Sequence, residues 1–395
     1  MGSSQTIELT EYQPATFPAE AISPVIGQAL WENYGQQIEV QEPSFKTDGQ
    51  WRLTAQGWVG HIPLTPTFHV ALKPKIELSN LFRMWEYAYR LNSFRLLEGL
   101  IACQSLPEFY ERLAHVLARR VLERGRKGFY RAYLAETDHL PYVRGRLTVQ
   151  PAAPGQVKLV CHFEEHTADV ADNGILAWTL DRIARSGLCS ERVLPAVRLA
   201  HRALHNLVTL TPYQAGDCVG RVYHRLNEDY RPMHALCRFF LEHSGPSHSP
   251  GPYPMLPFLV DMARLYELFV AEWLKTHLPP HLDLKAQERV DLGQSSAWQF
   301  QIDLLLYEKL TPRAQIVLDT KYKTDTLASD IAQVIAYAKI KGCQEAVLIY
   351  PTPLAHPLDT TIDGLRLRSL TFALTGDLEQ AGQTFLQELF AKNRR

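Results

Sequence analysis

Three ionisable residues occupy places where a β-strand ordinarily keeps apolar ones. Asp303 interrupts the run Gln299-Phe300-Gln301-Ile302-Asp303-Leu304-Leu305-Leu306-Tyr307, and Asp319 and Lys321 stand near the end of a second run from Ala314 to Lys323. Asp319 and Lys321 are two residues apart, so on an extended segment they project from one face. Burying two carboxylates and an ammonium together is costly unless a divalent cation and a phosphate resolve the charges. The chemistry these residue types suggest is metal-dependent hydrolysis of a phosphodiester. The plainer alternative is a hairpin with its charges on a solvated face, where an Asp319/Lys321 pair contributes little.

Positioning these groups falls to a few elements. The two runs, joined by Glu308 to Arg313, predict a β-hairpin. Upstream, Met262, Leu265, Phe269 and Leu274 recur near helical spacing within Asp261 to Lys275, a helix that carries Glu267, a third carboxylate able to reach a metal. Downstream, Asp330 to Lys341 predicts a helix with Gln333 and Tyr337 four apart on one face.

This arrangement resembles the PD-(D/E)xK nuclease superfamily, with Asp303 as the first acid and Asp319-Thr320-Lys321 as the (D/E)xK element. Ile302 replaces the proline of the superfamily's name. A Gln-x-x-x-Tyr pair such as Gln333/Tyr337 recurs in the RecB-like branch of these nucleases. The resemblance implies that Asp303 and Asp319 ligate Mg²⁺, with Mn²⁺ as substitute. The Thr320 carbonyl completes the set, and Glu267 joins directly or through water. Lys321 lies beside the attacking water. Gln333 and Tyr337 position Lys321 or the DNA strand, with ordinary helix packing as the alternative for Tyr337.

The 395 residues suggest two or three domains. A hydrophobic fraction of 46% with 21% charged residues is that of a folded soluble protein, and a net charge of -1 provides no global attraction to nucleic acid; the alternation of β-prone and helical segments gives mixed α/β as the expected fold class. Six cysteines without a C-x-x-C indicate neither a zinc ribbon nor a disulfide framework, which fits a reducing cytoplasm; no leader or membrane span is evident. Residues 6–76 look β-rich. From Leu78 the period becomes helical through Leu134, with a basic cluster at Arg119, Arg120, Arg124, Arg126, Lys127 and Arg131 that could meet phosphates, an acidic partner, or only solvent. Pro141 to Val149 and Val157 to Phe163 return to β character before further helices. The Gly/Ser/Pro-rich stretch from Ser244 to Pro254 is the clearest break. The expected domains are therefore a β-rich region at 1–80, a mainly helical region at 81–245, and an α/β endonuclease-like domain at 246–395.

Over residues 55–351 the chain is also similar to the McrC family, the nuclease subunits of McrBC-type modification-dependent restriction systems. The likeness rests on the order of Val59-Gly60-His61-Ile62, Lys73-Pro74-Lys75-Ile76, Arg144-Gly145-Arg146, Phe163 with Thr167, Asp169 and Asn173, Asn227 with Tyr230 and Pro232, and then the nuclease core. It implies a hexameric AAA+ GTPase partner of the McrB kind, which holds the GTP and reads double-stranded DNA carrying modified bases such as 5-methylcytosine, a defence against phage. The segments around Gly60 and Pro74 are expected to dock on that ring and stimulate it. Two other readings stay open: a stand-alone nuclease, and a non-cleaving assembly or GTPase-activating subunit.

The missing motifs agree with a divided labour. No G-x-x-x-x-G-K-[ST] and no G-x-S-x-G occurs. His162-Phe163-Glu164-Glu165-His166 matches the zinc-protease pattern H-x-x-E-H, yet the residues before it are strand-like, and that chemistry needs both histidines on one helical turn.

Overall fold

Period-two alternation shapes the start of the chain. β1 (Gln5–Thr10) buries Ile7 and Leu9 and turns Glu8 outward. β2 (Pro14–Phe17), α1 (Pro24–Tyr34), β3 (Ile38–Gln41) and β4 (Trp51–Ala55) follow, and the strands form an antiparallel sheet in the order β2-β4-β3. α1 begins where the Ser23 hydroxyl accepts the Ile26 N–H and Pro24 fills the first turn. β5 (Trp58–Thr65) and β6 (Phe68–Lys73) form a hairpin, and β6 also pairs in parallel with β1. α2 (Leu78–Ala88) then buries Leu81, Met84, Trp85 and Ala88, the stripe read in the sequence.

The computed structural model describes residues 5–65, 67–90, 103–148, 159–244, 257–291, 299–310 and 313–391. Most of the Ser244 to Pro254 break and the Pro151 to Gly155 loop lie outside the described residues. Two units emerge, residues 1–106 together with 257–395, and residues 107–256.

In the second unit, α3 (Leu106–Lys127) stops short of the Leu134 limit expected from its periodicity, because Gly128 takes a φ of +89° and the chain resumes as β7 (Ala132–Leu140). β8 (Arg146–Thr148) and β9 (Leu159–Thr167) complete an antiparallel sheet ordered β7-β9-β8, and Tyr133 to His139 are all exposed. β9 carries the H-x-x-E-H run, so His162 and His166 stand ~13 Å apart along a strand rather than on one helical turn. His162 is engaged instead with the hydroxyls of Thr137 (2.8 Å) and Thr148 (2.9 Å). The zinc-protease alternative has no geometry to support it.

α4 (Ala171–Arg185), α5 (Leu194–His205) and α6 (Tyr230–His243) follow. Several residues of the McrC-like pattern make polar contacts here, Asn173 and Tyr230 in the core and Asp169 at the surface. The Asn173 amide donates to the Tyr130 and Ala168 carbonyls and accepts the Tyr230 hydroxyl, while Asp169 accepts both the N–H and O–H of Thr209. Their role in this unit is structural. The basic cluster is partly neutralised, with Arg119 on Glu123 and Arg124 on Asp229. Arg126 and Arg131 line a largely apolar cleft of about 530 Å³ that contains no carboxylate and hence no candidate for metal chemistry.

β10 (Phe258–Asp261) returns to the first unit and completes a four-stranded sheet ordered β1-β6-β5-β10. This pairing depends on Gly60, whose φ is +143° and where a Cβ would lie 2.0 Å from the Phe258 carbonyl oxygen. Leu259 thereby joins the core of Ile7, Leu9, Ile62, Val70 and Leu72. The regions expected as separate domains at 1–80 and 246–395 are consequently grouped in one unit. Gly60 itself is buried against β10. Gly60→Ala should destabilise the full chain by roughly 2–4 kcal/mol, read as a fall in the urea midpoint. An unchanged midpoint would contradict the tight β5/β10 approach.

α7 (Met262–His277) is capped by Asp261, which accepts the N–H groups of Ala263 and Arg264 at 2.9 and 3.2 Å. β11 (Leu282–Asp291), β12 (Gln299–Glu308), β13 (Ala314–Thr320), α8 (Ala328–Lys341), β14 (Glu345–Tyr350), β15 (Asp359–Ile362), β16 (Leu365–Thr371) and α9 (Leu378–Leu389) complete the chain. The strands form a mixed six-stranded sheet, β11-β12-β13-β14-β16-β15. β12 and β13 are the expected antiparallel hairpin, and α8 is the crossover to the parallel β14. Val334, Tyr337 and Ala338 of α8 pack with Leu305, Val317 and Leu348, while the alternate positions Leu304 and Leu318 are buried as well, so the sheet is covered on both sides. α7 and α9 meet around Phe372, which contacts Phe269, Trp273 and Phe385.

Candidate active site

The pairing of Leu304 with Leu318 sets Asp303 beside the end of β13. Asp303 Oδ2 accepts both the backbone N–H (3.2 Å) and the hydroxyl (3.3 Å) of Thr320. Asp319 is 1% exposed, and its Oδ2 lies 2.7 Å from Lys321 Nζ. That contact is an ion pair without hydrogen-bond alignment, so the buried Oδ2 lacks a directional partner. Lys321 Nζ donates instead to Gln333 Oε1 at 3.1 Å, and Gln333 Nε2 donates to the Tyr337 hydroxyl at 2.9 Å. The residues singled out at the end of β13 and on α8 thus form one connected chain, Tyr337 to Gln333 to Lys321 to Asp319, with Asp303 of β12 held beside it through Thr320.

Negative charge is in excess here. Burial first, and then the neighbouring Asp303, push the Asp319 carboxyl up to about 6. Asp303 is also raised, chiefly by burial, against the opposing Thr320 N–H and Lys321. Burial would depress the Lys321 ammonium, but Asp319 above all outweighs it and leaves it raised. Glu267 on α7 is pushed up to about 8 by burial and then by Asp303, with Asp319 adding to it. The charges of Asp303 and Asp319 thus reach Glu267, although the three carboxyls do not close on one point.

Sequence reasoning missed a fourth acid. Asp330 is buried, holds the Leu327 N–H at 2.9 Å, pairs with Lys323 at 2.5 Å, and lies 3.9 Å from Lys321. Its place three residues after the N-cap Leu327 of α8 is a capping position that the sequence could have revealed.

The donor set suits a hard divalent cation, which takes carboxylate and carbonyl oxygens. Among the described residues no three acid, imidazole or thiol side chains converge closely enough to hold an ion. Asp303 and Asp319 are the two acids that the β12/β13 pairing brings to one end of the hairpin. The unaligned, buried Asp319 Oδ2 is the observation that favours a cation.

A family model described as McrBC 5-methylcytosine restriction system component matches residues 53–351. The chain is 22% identical over 268 residues, 63% of its length and 74% of the relative's, to the type IV methyl-directed restriction enzyme EcoKMcrBC of Escherichia coli K12. Its fold is similar to a chain in a half-complex from a tetradecameric assembly of Thermococcus gammatolerans McrB AAA+ hexamers with bound McrC. That match has a TM-score of 0.55 and 17% identity, and covers 98% of this chain and 99% of the other.

Proposed function

The chain belongs to the family of McrBC 5-methylcytosine restriction system components, and from that premise we propose that it is the DNA-cleaving subunit of such a system. The carrying observation is the pair of aspartates on adjacent antiparallel strands, with Lys321 Nζ 2.7 Å from the buried Asp319 carboxylate. Asp303, Asp319 and the Thr320 carbonyl would hold Mg²⁺, with Glu267 behind them. When bound, such a cation supplies Lewis acidity to the phosphate and favours deprotonation of water. Thr320 keeps Asp303 in place through two hydrogen bonds. The Lys321 ammonium faces the charge that builds on phosphorus as the water oxygen bonds to it and the opposite P–O bond breaks. Gln333 restrains that ammonium, and Tyr337 restrains Gln333.

The proposed partner is an AAA+ hexamer like those in the similar assembly, and the family resemblance implies that it is a GTPase. This chain, which has no P-loop, would dock on it, stimulate GTP hydrolysis and leave recognition of the modified base to it. A near-neutral chain has little electrostatic means of finding DNA alone.

The test mixes the full chain with the AAA+ GTPase of its own system, GTP and a duplex carrying 5-methylcytosine. Cuts are expected with Mg²⁺ or Mn²⁺ and not with Ca²⁺, a larger and weaker Lewis acid. Equal cutting by the chain alone would remove the partner from the account, and cutting that survives chelation would remove the metal.

A further inference from the structure

Tyr322 follows Lys321 directly and is buried, with its hydroxyl donating to Glu11 Oε2 at 3.2 Å. The same oxygen accepts the Lys75 backbone N–H at 3.0 Å. The Lys75 ammonium in turn lies 4.5 Å from the centre of the Tyr322 ring and 5.0 Å from that of Tyr12. On its other flank the Tyr322 ring is 6.0 Å from Tyr266, which precedes Glu267 on α7 and donates its hydroxyl to the Phe372 carbonyl at 3.2 Å.

Glu11, just beyond β1, is 1% exposed, and its Oε1 is buried without a hydrogen-bond partner. An apolar side chain would fill such a place at less cost. What a carboxylate adds is direction, because one oxygen ties the β6–α2 connection to the residue beside Lys321. We propose that Glu11, acting through Tyr322, is a positioning residue for the Asp319-Thr320-Lys321 element, so that the N-terminal sheet forms part of the catalytic frame. The proposal rests on the nuclease reading given above.

The experiment compares Tyr322→Phe, Glu11→Ala, Glu11→Gln and the Tyr322→Phe/Glu11→Ala double variant as full chains assembled with the AAA+ partner, GTP and methylated duplex. Single-turnover cleavage, GTPase stimulation and melting temperature are read on each. Tyr322→Phe and Glu11→Ala should each slow cleavage roughly tenfold, the scale of a lost hydrogen bond to a charged group. GTPase stimulation should stay unchanged in Tyr322→Phe, which leaves the Lys75 segment held by Glu11, and the double variant should cleave no slower than the slower single one. Glu11→Gln should keep most of the rate, since its amide oxygen still accepts both donors.

Wild-type cleavage by Tyr322→Phe and Glu11→Ala would overturn the proposal. So would independent, multiplying losses, or a parallel loss of GTPase stimulation and melting temperature, which is the mark of a merely structural contact. Lys321→Ala separates the two claims. If it is inactive while Glu11→Ala is normal, only the positioning role falls; if it too cuts normally, the nuclease site itself is misplaced.

Discussion

Asp303→Ala and Asp319→Ala should each reduce DNA cleavage on the order of a thousandfold or more, because each removes a carboxylate from the proposed cation site, which has little redundancy. The loss should come without unfolding. Asp319 is held in the fold against burial and against the repulsion of Asp303, and its Oδ2 has no aligned hydrogen bond. A carboxyl whose pKa folding has raised disfavours the fold above that pKa and ceases to do so once it is protonated below its ordinary range. At neutral pH the metal-free Asp319→Ala protein should therefore melt no lower than the wild type, and the wild type should lose its disadvantage as the pH falls through about 6. Assembly with the AAA+ partner should persist as well. Undiminished cleavage by both variants would remove these residues from the site.

Lys321→Ala is expected to lose catalysis on a similar scale, on the order of a thousandfold, for a different reason. An ammonium repels a cation rather than ligating it, so the variant should keep its metal and lose only the charge that faces the developing phosphorane. Lys321 is also the hub between Asp319, Gln333 and Asp330. Removing it frees Asp319, which should bind a divalent ion at least as well as before. Metal binding lost together with activity would make Lys321 a structural residue.

The local site was legible because its signals are local. Asp303, Asp319 and Lys321 betray themselves as charges inside apolar β runs, and Gln333 and Tyr337 by a four-residue spacing; the structure joins four of these five, with Asp303 held alongside through Thr320. The helix carrying Glu267 and the hairpin were readable from periodicity and turn residues for the same reason. What the chain order concealed is long-range pairing. β10 adds to β5 across a gap of nearly 200 residues, and no pattern within either strand announces the partner. Gly60 carried the trace of it, since a residue with φ +143° facing another strand's carbonyl has to lack a side chain. α3 ends before Leu134 because Gly128, with a φ of +89°, overrides a helical spacing that only Arg131 and Leu134 continue.

The central claim is that Asp303 and Asp319 hold a catalytic divalent cation that Lys321 does not ligate. Calorimetric titration of Mn²⁺ into the wild type, Asp319→Ala and Lys321→Ala, run side by side, tests it most directly. The account predicts binding to the wild type and to Lys321→Ala, and none to Asp319→Ala. Equal Mn²⁺ affinity in Asp319→Ala and the wild type would contradict it.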